Sequence, residues 1–134
     1  MRAALLLLLL AAPASAREPL DGAGFEALVE GRSLSYTREG EAAPYGIERH
    51  YPGRRVTWFL VATGECMEGT WRAEEAGAKT RICFEYDGSP GPHCFLYYRE
   101  GDSILSTNLD GSDLDVTPLG PEHEVEFGCE YLGA

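Results

Sequence analysis

Four cysteines constrain this chain more than any other feature: Cys66, Cys83, Cys94 and Cys129, separated by 16, 10 and 34 residues. No Cys-x-x-Cys pair exists, and structural zinc sites and thioredoxin-like redox sites usually present one. His93 adjoins Cys94, but neighbours on a strand point to opposite faces, so the two are not expected to share a metal. An even number of cysteines in an exported chain is expected to form two disulfides instead.

Export itself is read from the first residues. Arg2 supplies a positive start, Ala3 to Ala12 form an apolar run with six consecutive leucines, and Ala14-Ser15-Ala16 is a small-residue cleavage site. This pattern predicts a signal peptide over 1–16, cleaved after Ala16, and a periplasmic or secreted product. The run is shorter than the roughly 20 residues a membrane helix needs. With the first cysteine at Cys66, a lipid-modified cysteine following the signal is not expected, so no membrane anchor is predicted once the signal is removed. A single disulfide-stapled β domain is expected over 17–134.

Charge narrows the partners. The chain has 11 basic and 22 acidic side chains, a formal net charge of −11, and loss of Arg2 makes the mature product more acidic still. Such a surface repels phosphate backbones and anionic lipid, so no nucleic-acid or lipid-surface partner is expected. Lys79 is the only lysine, Asn108 the only asparagine and glutamine is absent, a composition that suits a bacterial chain.

The hydrophobic pattern is predominantly that of strands. Phe25, Leu28 and Val29 stand at helical spacing between Asp21, a capping residue, and Gly31, predicting one short N-terminal helix. Strands are then expected over Ser33 to Thr37, Tyr45 to Tyr51, Val56 to Ala62, Met67 to Trp71, Arg81 to Tyr86, Cys94 to Arg99, Ser103 to Asn108 and Leu114 to Thr117. A last strand is expected over 125–131. Pro52-Gly53 has the composition of a type II turn. In the segment before that turn Tyr45, Ile47 and Tyr51 alternate with Gly46, Glu48 and His50, which sets His50 on the more polar side of its strand. The fold class is therefore all-β, a small antiparallel meander or barrel, lipocalin-like or a sandwich, with one short helix.

Strand geometry selects the disulfide pairing. Placing Cys83 opposite Cys94 puts Glu85 opposite Pro92, and both pairs are then non-hydrogen-bonded, where a disulfide fits and a proline loses no ladder bond. That register sets Ile82, Phe84, Tyr86, Phe95 and Tyr97 on one face, the expected core face. Cys66 is left to pair with Cys129, closing a long loop worth about 4 kcal/mol in the chain-entropy model.

Signals for chemistry are sparse. His50, His93 and His123 are read as surface histidines, since none stands in a nucleophile or zinc motif. Glu48, Glu68 and Glu85 could supply paired carboxylates, but proximity among 22 acids is expected by chance. Asp110, Asp113 and Asp115 lack EF-hand spacing. No cofactor, metal or catalytic residue is therefore assigned. The aromatic side chains are the better lead: Trp58, Trp71 and Tyr97, with Arg72, are the candidate ligand or partner contacts, in a cavity if the barrel leaves one. Gly69-Thr70-Trp71 resembles the Gly-x-Trp motif of lipocalins but lies mid-chain rather than on the first strand, so no lipocalin function is carried over.

Phe25-Glu-Ala-Leu-Val-Glu-Gly-Arg-Ser-Leu-Ser-Tyr36, Tyr45-Gly-Ile-Glu48 and Pro52-Gly-Arg-Arg-Val-Thr-Trp58 open a longer pattern. It continues with Cys66-x-x-Gly-x-Trp71, Ile82-Cys-Phe84, His93-Cys94-Phe95 and the last Cys129. The whole resembles a family of small exported proteobacterial proteins of unknown function. The resemblance implies a periplasmic all-β domain with two disulfides and carries no activity with it. The function expected is a non-catalytic binding or envelope-associated module, its partner a protein or a small apolar ligand. The alternatives are an inhibitor of a basic envelope enzyme such as lysozyme, and a hydrolase using a carboxylate or His50 at a cavity mouth.

Overall fold

The computed structural model describes residues 17–101, 103–108, 113–119 and 128–129. The signal peptide expected over 1–16, His123, Asp110 and most of the strand expected over 125–131 lie outside the described residues; Gly128 and Cys129 are described and are not in a strand.

Strand β1 (Glu18–Pro19) precedes helix α1 (Gly22–Val29), and the strands β2 (Ser33–Arg38), β3 (Gly46–Tyr51), β4 (Arg55–Leu60) and β5 (Glu65–Ala76) follow. They continue as β6 (Lys79–Tyr86), β7 (His93–Glu100), β8 (Ser103–Asn108) and β9 (Asp113–Leu119). Every pairing is antiparallel. Consecutive strands from β2 to β9 are neighbours, and β9 returns to β2, so the all-β meander closes as a ring of eight strands. Closure removes the open edges on which strands aggregate.

The weakest place in the ring is between β6 and β7, which pair only at Ile82–Phe95, Cys83–Cys94 and Phe84–His93. Beyond that point β1 takes β6's place beside β7, pairing Glu18 with Arg99 and Pro19 with Tyr98. The chain thus enters at this seam and turns directly into α1. Asp21 caps the helix, its Oδ1 accepting from the Gly24 N–H at 2.7 Å, and Gly31 leaves it with a left-handed φ of 75°. The N-terminal and C-terminal signals read from the sequence are the ones used.

Helix α1 plugs one end of the barrel. Phe25 is completely buried, its ring centroid 5.0 Å from Trp71, 4.5 Å from Tyr97 and 5.7 Å from His50. Arg54 holds the plug from the side. It follows Pro52-Gly53 in the β3–β4 turn with φ 59°, uncommon for a residue with a side chain. In that position its guanidinium lies 4.5 Å from the Trp71 ring centroid and 3.0 Å from Glu26 Oε2 on the helix.

Both disulfides join the cysteines that strand geometry pairs, Cys83–Cys94 and Cys66–Cys129. Cys83 and Cys94 are direct cross-strand partners with Cα atoms 4.0 Å apart, the close approach of a non-hydrogen-bonded pair. Two bonded cysteine pairs are what an oxidising, exported environment produces. Among the described residues no helix is long and apolar enough to cross a membrane.

The two staples are expected to differ in stability. In the chain-entropy model the 63-residue Cys66–Cys129 separation corresponds to about 4 kcal/mol, and the 11-residue Cys83–Cys94 separation to about 3. Urea unfolding of the paired Cys→Ala variants should show the larger loss for Cys66/Cys129. A larger loss for the local pair would mean that the seam, not chain entropy, governs cohesion.

Candidate functional site

Register decides what faces the lumen. Trp71 and Phe84 are partners, as are Trp58 and Met67, Glu48 and Trp58, His50 and Val56, and Leu34 and Glu48. Side chains alternate along a strand, so Leu34, Tyr36, Glu48, His50, Trp58, Phe84 and Tyr97 all belong to the inner face. The expectation for β3 is therefore corrected. Glu48 and His50 point inward, each only 1 % exposed, while Ile47 packs outward against Phe59 and Cys129. The hydrophobic alternation of this strand faces an outer apolar cluster under the Cys66–Cys129 staple, not the barrel core.

The interior is divided across its length. The end plugged by α1 is filled by Phe25, Trp71, His50 and Phe84. The other end is an open cup of about 220 Å³. It is lined by Tyr36, Tyr45, Trp58, Phe84, Tyr86, Phe95 and Tyr97, by the more exposed Met67, Ser89 and His93, and by the buried Glu48. An eight-stranded barrel is just wide enough to be filled by side chains or to hold one small ligand. This barrel is filled at one end and leaves a cup at the other. Gly46 makes room for the Trp58 ring, which occupies the space that a Cβ at position 46 would need.

Two hydrogen bonds cross the lumen between strands that are not neighbours. Tyr86 on β6 donates its hydroxyl to Glu48 Oε2 on β3, and the hydroxyls of Tyr36 on β2 and Tyr97 on β7 bond at 2.7 Å. His50 lies behind Glu48, its Nε2 a long 3.5 Å from Glu48 Oε1, and neither ring nitrogen has a hydrogen-bond partner of good geometry.

Among the described residues no arginine or lysine makes an ion pair with Glu48. Burial therefore dominates its titration and pushes the carboxyl up to about 8, with the Tyr86 hydrogen bond opposing. Burial pushes His50 the other way, down to about 3. Both groups are thus held neutral at pH 7. Burial likewise raises Tyr36, Tyr86 and Tyr97, so these phenols stay protonated donors.

The four candidate contacts separate. Trp58 and Tyr97 are on the cup wall. Trp71 is 4 % exposed within the plugged end, under Arg54. Arg72 is outside the barrel, bonded to Glu74 at 2.8 Å and paired with Glu85 at 3.1 Å. His93 stands exposed at the rim, as a surface histidine, whereas the surface reading of His50 is overturned. Glu74 also lies beside the Cys83 and Cys94 sulfurs, with the ligand atoms within 4.8 Å of one another. Those sulfurs are bonded to each other, and metal ligation needs the thiolate.

Sequence reasoning missed Glu48, Tyr86 and Tyr36 as a site. The parity of β3 was nevertheless recoverable. Cys66, Phe59 and Ile47 are successive cross-strand partners, so a cysteine on the outer face of β5 carries Ile47 outside with it. No family model, curated protein or solved structure matches this chain.

The opposed shifts of Glu48 and His50 give a signed expectation. Glu48, raised, stabilises fully below about 4.5, and its contribution is lost as pH rises to about 8. His50, depressed, stabilises fully above about 6.5, and its contribution is lost as pH falls to about 3. From this pair stability should be level between about 4.5 and 6.5 and fall on either side. Glu48→Gln should raise stability at pH 8 by at most about 5 kcal/mol, at 1.36 kcal/mol per pKa unit, and leave it unchanged at pH 4. Urea unfolding of both proteins across pH checks this, and an equal gain at both pH values would refute the buried-acid assignment.

Proposed function

We propose that this is an exported, non-catalytic binding module that holds one small, largely apolar ligand in the open end of its barrel. The observation that carries the reading is the cup itself: about 220 Å³ walled by aromatic side chains with a few converging polar groups at its base. Pockets for small molecules have this composition. At that volume the ligand is smaller than the drug-sized occupants of pockets of roughly 300–1,000 Å³. The signal-like N-terminus and the two disulfides support a periplasmic or secreted site of action.

A second reading, acid–base hydrolysis, draws on Glu48, whose carboxyl titrates near 8 and could both give and take a proton near neutral pH. It is the weaker reading because the cup sets no nucleophile–base pair around that carboxyl. His50 is behind Glu48 rather than in the cup wall, and its imidazole is held far below neutrality.

Native mass spectrometry of the protein purified from the cell envelope should show a small-molecule adduct lost on denaturation. Toluene, as a probe, should quench Trp58 and spare Trp71. At a hundredfold over its Kd it should stabilise the fold by about 2.7 kcal/mol. Trp58→Phe should remove the fluorescence change and leave the stabilisation largely intact. Absence of any toluene effect on fluorescence or stability would exclude the binding reading.

A further inference from the structure

We infer that the ligand of the cup is a small organic cation, an ammonium carried on a compact hydrophobic body, with its charge against Glu48 and its body among the aromatic rings. This inference rests on the binding reading above and specifies its ligand class.

Three observations converge on a cation. Glu48 is a buried acid, 1 % exposed, without an arginine or lysine partner among the described residues, and it forms part of the cup lining. A permanent counter-charge from the protein would have filled that role, as Glu26 has Arg54 and Glu74 has Arg72. The walls are aromatic faces, whose negative quadrupoles attract ammonium groups most strongly when water is excluded. Trp58 on β4, Tyr86 on β6 and Phe95 on β7 line the cup together with Glu48, while the Tyr45 ring is already covered by the Arg38 guanidinium at 4.3 Å. Finally, the chain's 22 acids against 11 bases give an outer field that concentrates cations and repels anions.

An anionic ligand would meet Glu48 and this field together. A neutral ligand would leave the field and the quadrupoles unused.

Proton balance follows from the surroundings of Glu48. The titratable groups near it are Tyr86 on β6, Tyr36 on β2, Tyr97 on β7, Tyr45 before β3 and His50 on its own strand, with His93 at the rim. None of these supplies a fixed positive charge at pH 7, since burial holds His50 neutral. An ammonium entering the cup therefore finds a protonated carboxyl, whose proton leaves to solvent as the ion pair forms. Tyr86 keeps its hydroxyl proton and continues to donate to Glu48. The affinity for a cation should consequently rise with pH and level off above about 8, where the empty site is already ionised.

Calorimetric titration with benzylammonium and with its neutral near-isostere benzyl alcohol tests the inference, at pH 7.5 and at two salt concentrations. The expected result is at least tenfold tighter binding of benzylammonium, with release of part of one proton per site at this pH. Glu48→Gln should abolish that preference, so that the two probes bind within about threefold of each other. Equal binding of the two probes, or a preference for the cation that survives Glu48→Gln, overturns the inference and leaves the binding reading standing. Failure of both these probes and toluene to bind the wild-type protein overturns the two together. The amide introduced by Glu48→Gln can still accept from Tyr86, and the variant should be more stable than wild type at this pH. Loss of fold therefore does not obscure the comparison, and urea unfolding of the variant verifies it.

Discussion

Side-chain alternation along three adjacent strands is the constraint from which the rest of this structure follows. Ile47, Phe59 and Cys66 are cross-strand partners, and Cys66 must stand outside the barrel to reach Cys129. The period of a strand is two residues, so fixing these three outside fixes Glu48, Trp58 and Met67 inside. One covalent bond on the outer surface thereby determines that a carboxyl and an indole share the lumen. Slipping β3 by a single residue would return Glu48 to water, and would also bring Ile47 in and break its contact with Phe59 and Cys129.

The interior that results is not the one that maximises stability. A lumen filled with aliphatic side chains would satisfy the same ring of strands, and a buried acid without a cationic partner stabilises progressively less as pH rises above its unfolded pKa. Glu48 is accommodated because it is neutral and because Tyr86 reaches across the barrel to donate to it. The Tyr36–Tyr97 bond makes the corresponding link between β2 and β7. Both bonds tie together strands that are not neighbours, and all four of their residues are part of the cup lining.

What was legible in the sequence was what short-range geometry controls. Asp21, Gly31, Pro52-Gly53 and the Cys83–Cys94 pairing each depend on residues a few positions apart or on one hairpin, and each is used as its chemistry suggests. The inner face Ile82, Phe84, Tyr86, Phe95 and Tyr97 followed from that hairpin alone. The orientation of β3 was not legible from its own residues, because hydrophobicity reports that a side chain is buried and not in which of two places. Ile47 is buried outside and His50 inside, and only the position of Cys129, far along the chain, distinguishes them. The upper limit of β5 was lost for a similar reason. The sequence pattern ends at Trp71, but pairing with β6 carries the strand on to Ala76, through an outer row of Arg72 and Glu74 with no apolar alternation of its own.

The two tryptophans show how one barrel serves both stability and binding. Each is on the inner face and each meets aromatic neighbours, so composition and period cannot separate them. Trp71 sits where α1 enters, pressed by Phe25 and roofed by Arg54, whose left-handed backbone places its guanidinium between the ring and Glu26. Trp58 sits where no helix of the described residues enters, packed edgewise against Tyr36 and Tyr45 over the space left by Gly46. The difference lies in the chain's entry at the β6–β7 seam, which supplies a plug to one end only. A second plug would complete the core and remove the cup, whereas loss of α1 would open the barrel at both ends and expose Phe84, Trp71 and His50 together. The asymmetric seam is therefore what allows a small barrel to keep a core at one end and a buried carboxyl lining an aromatic cup at the other.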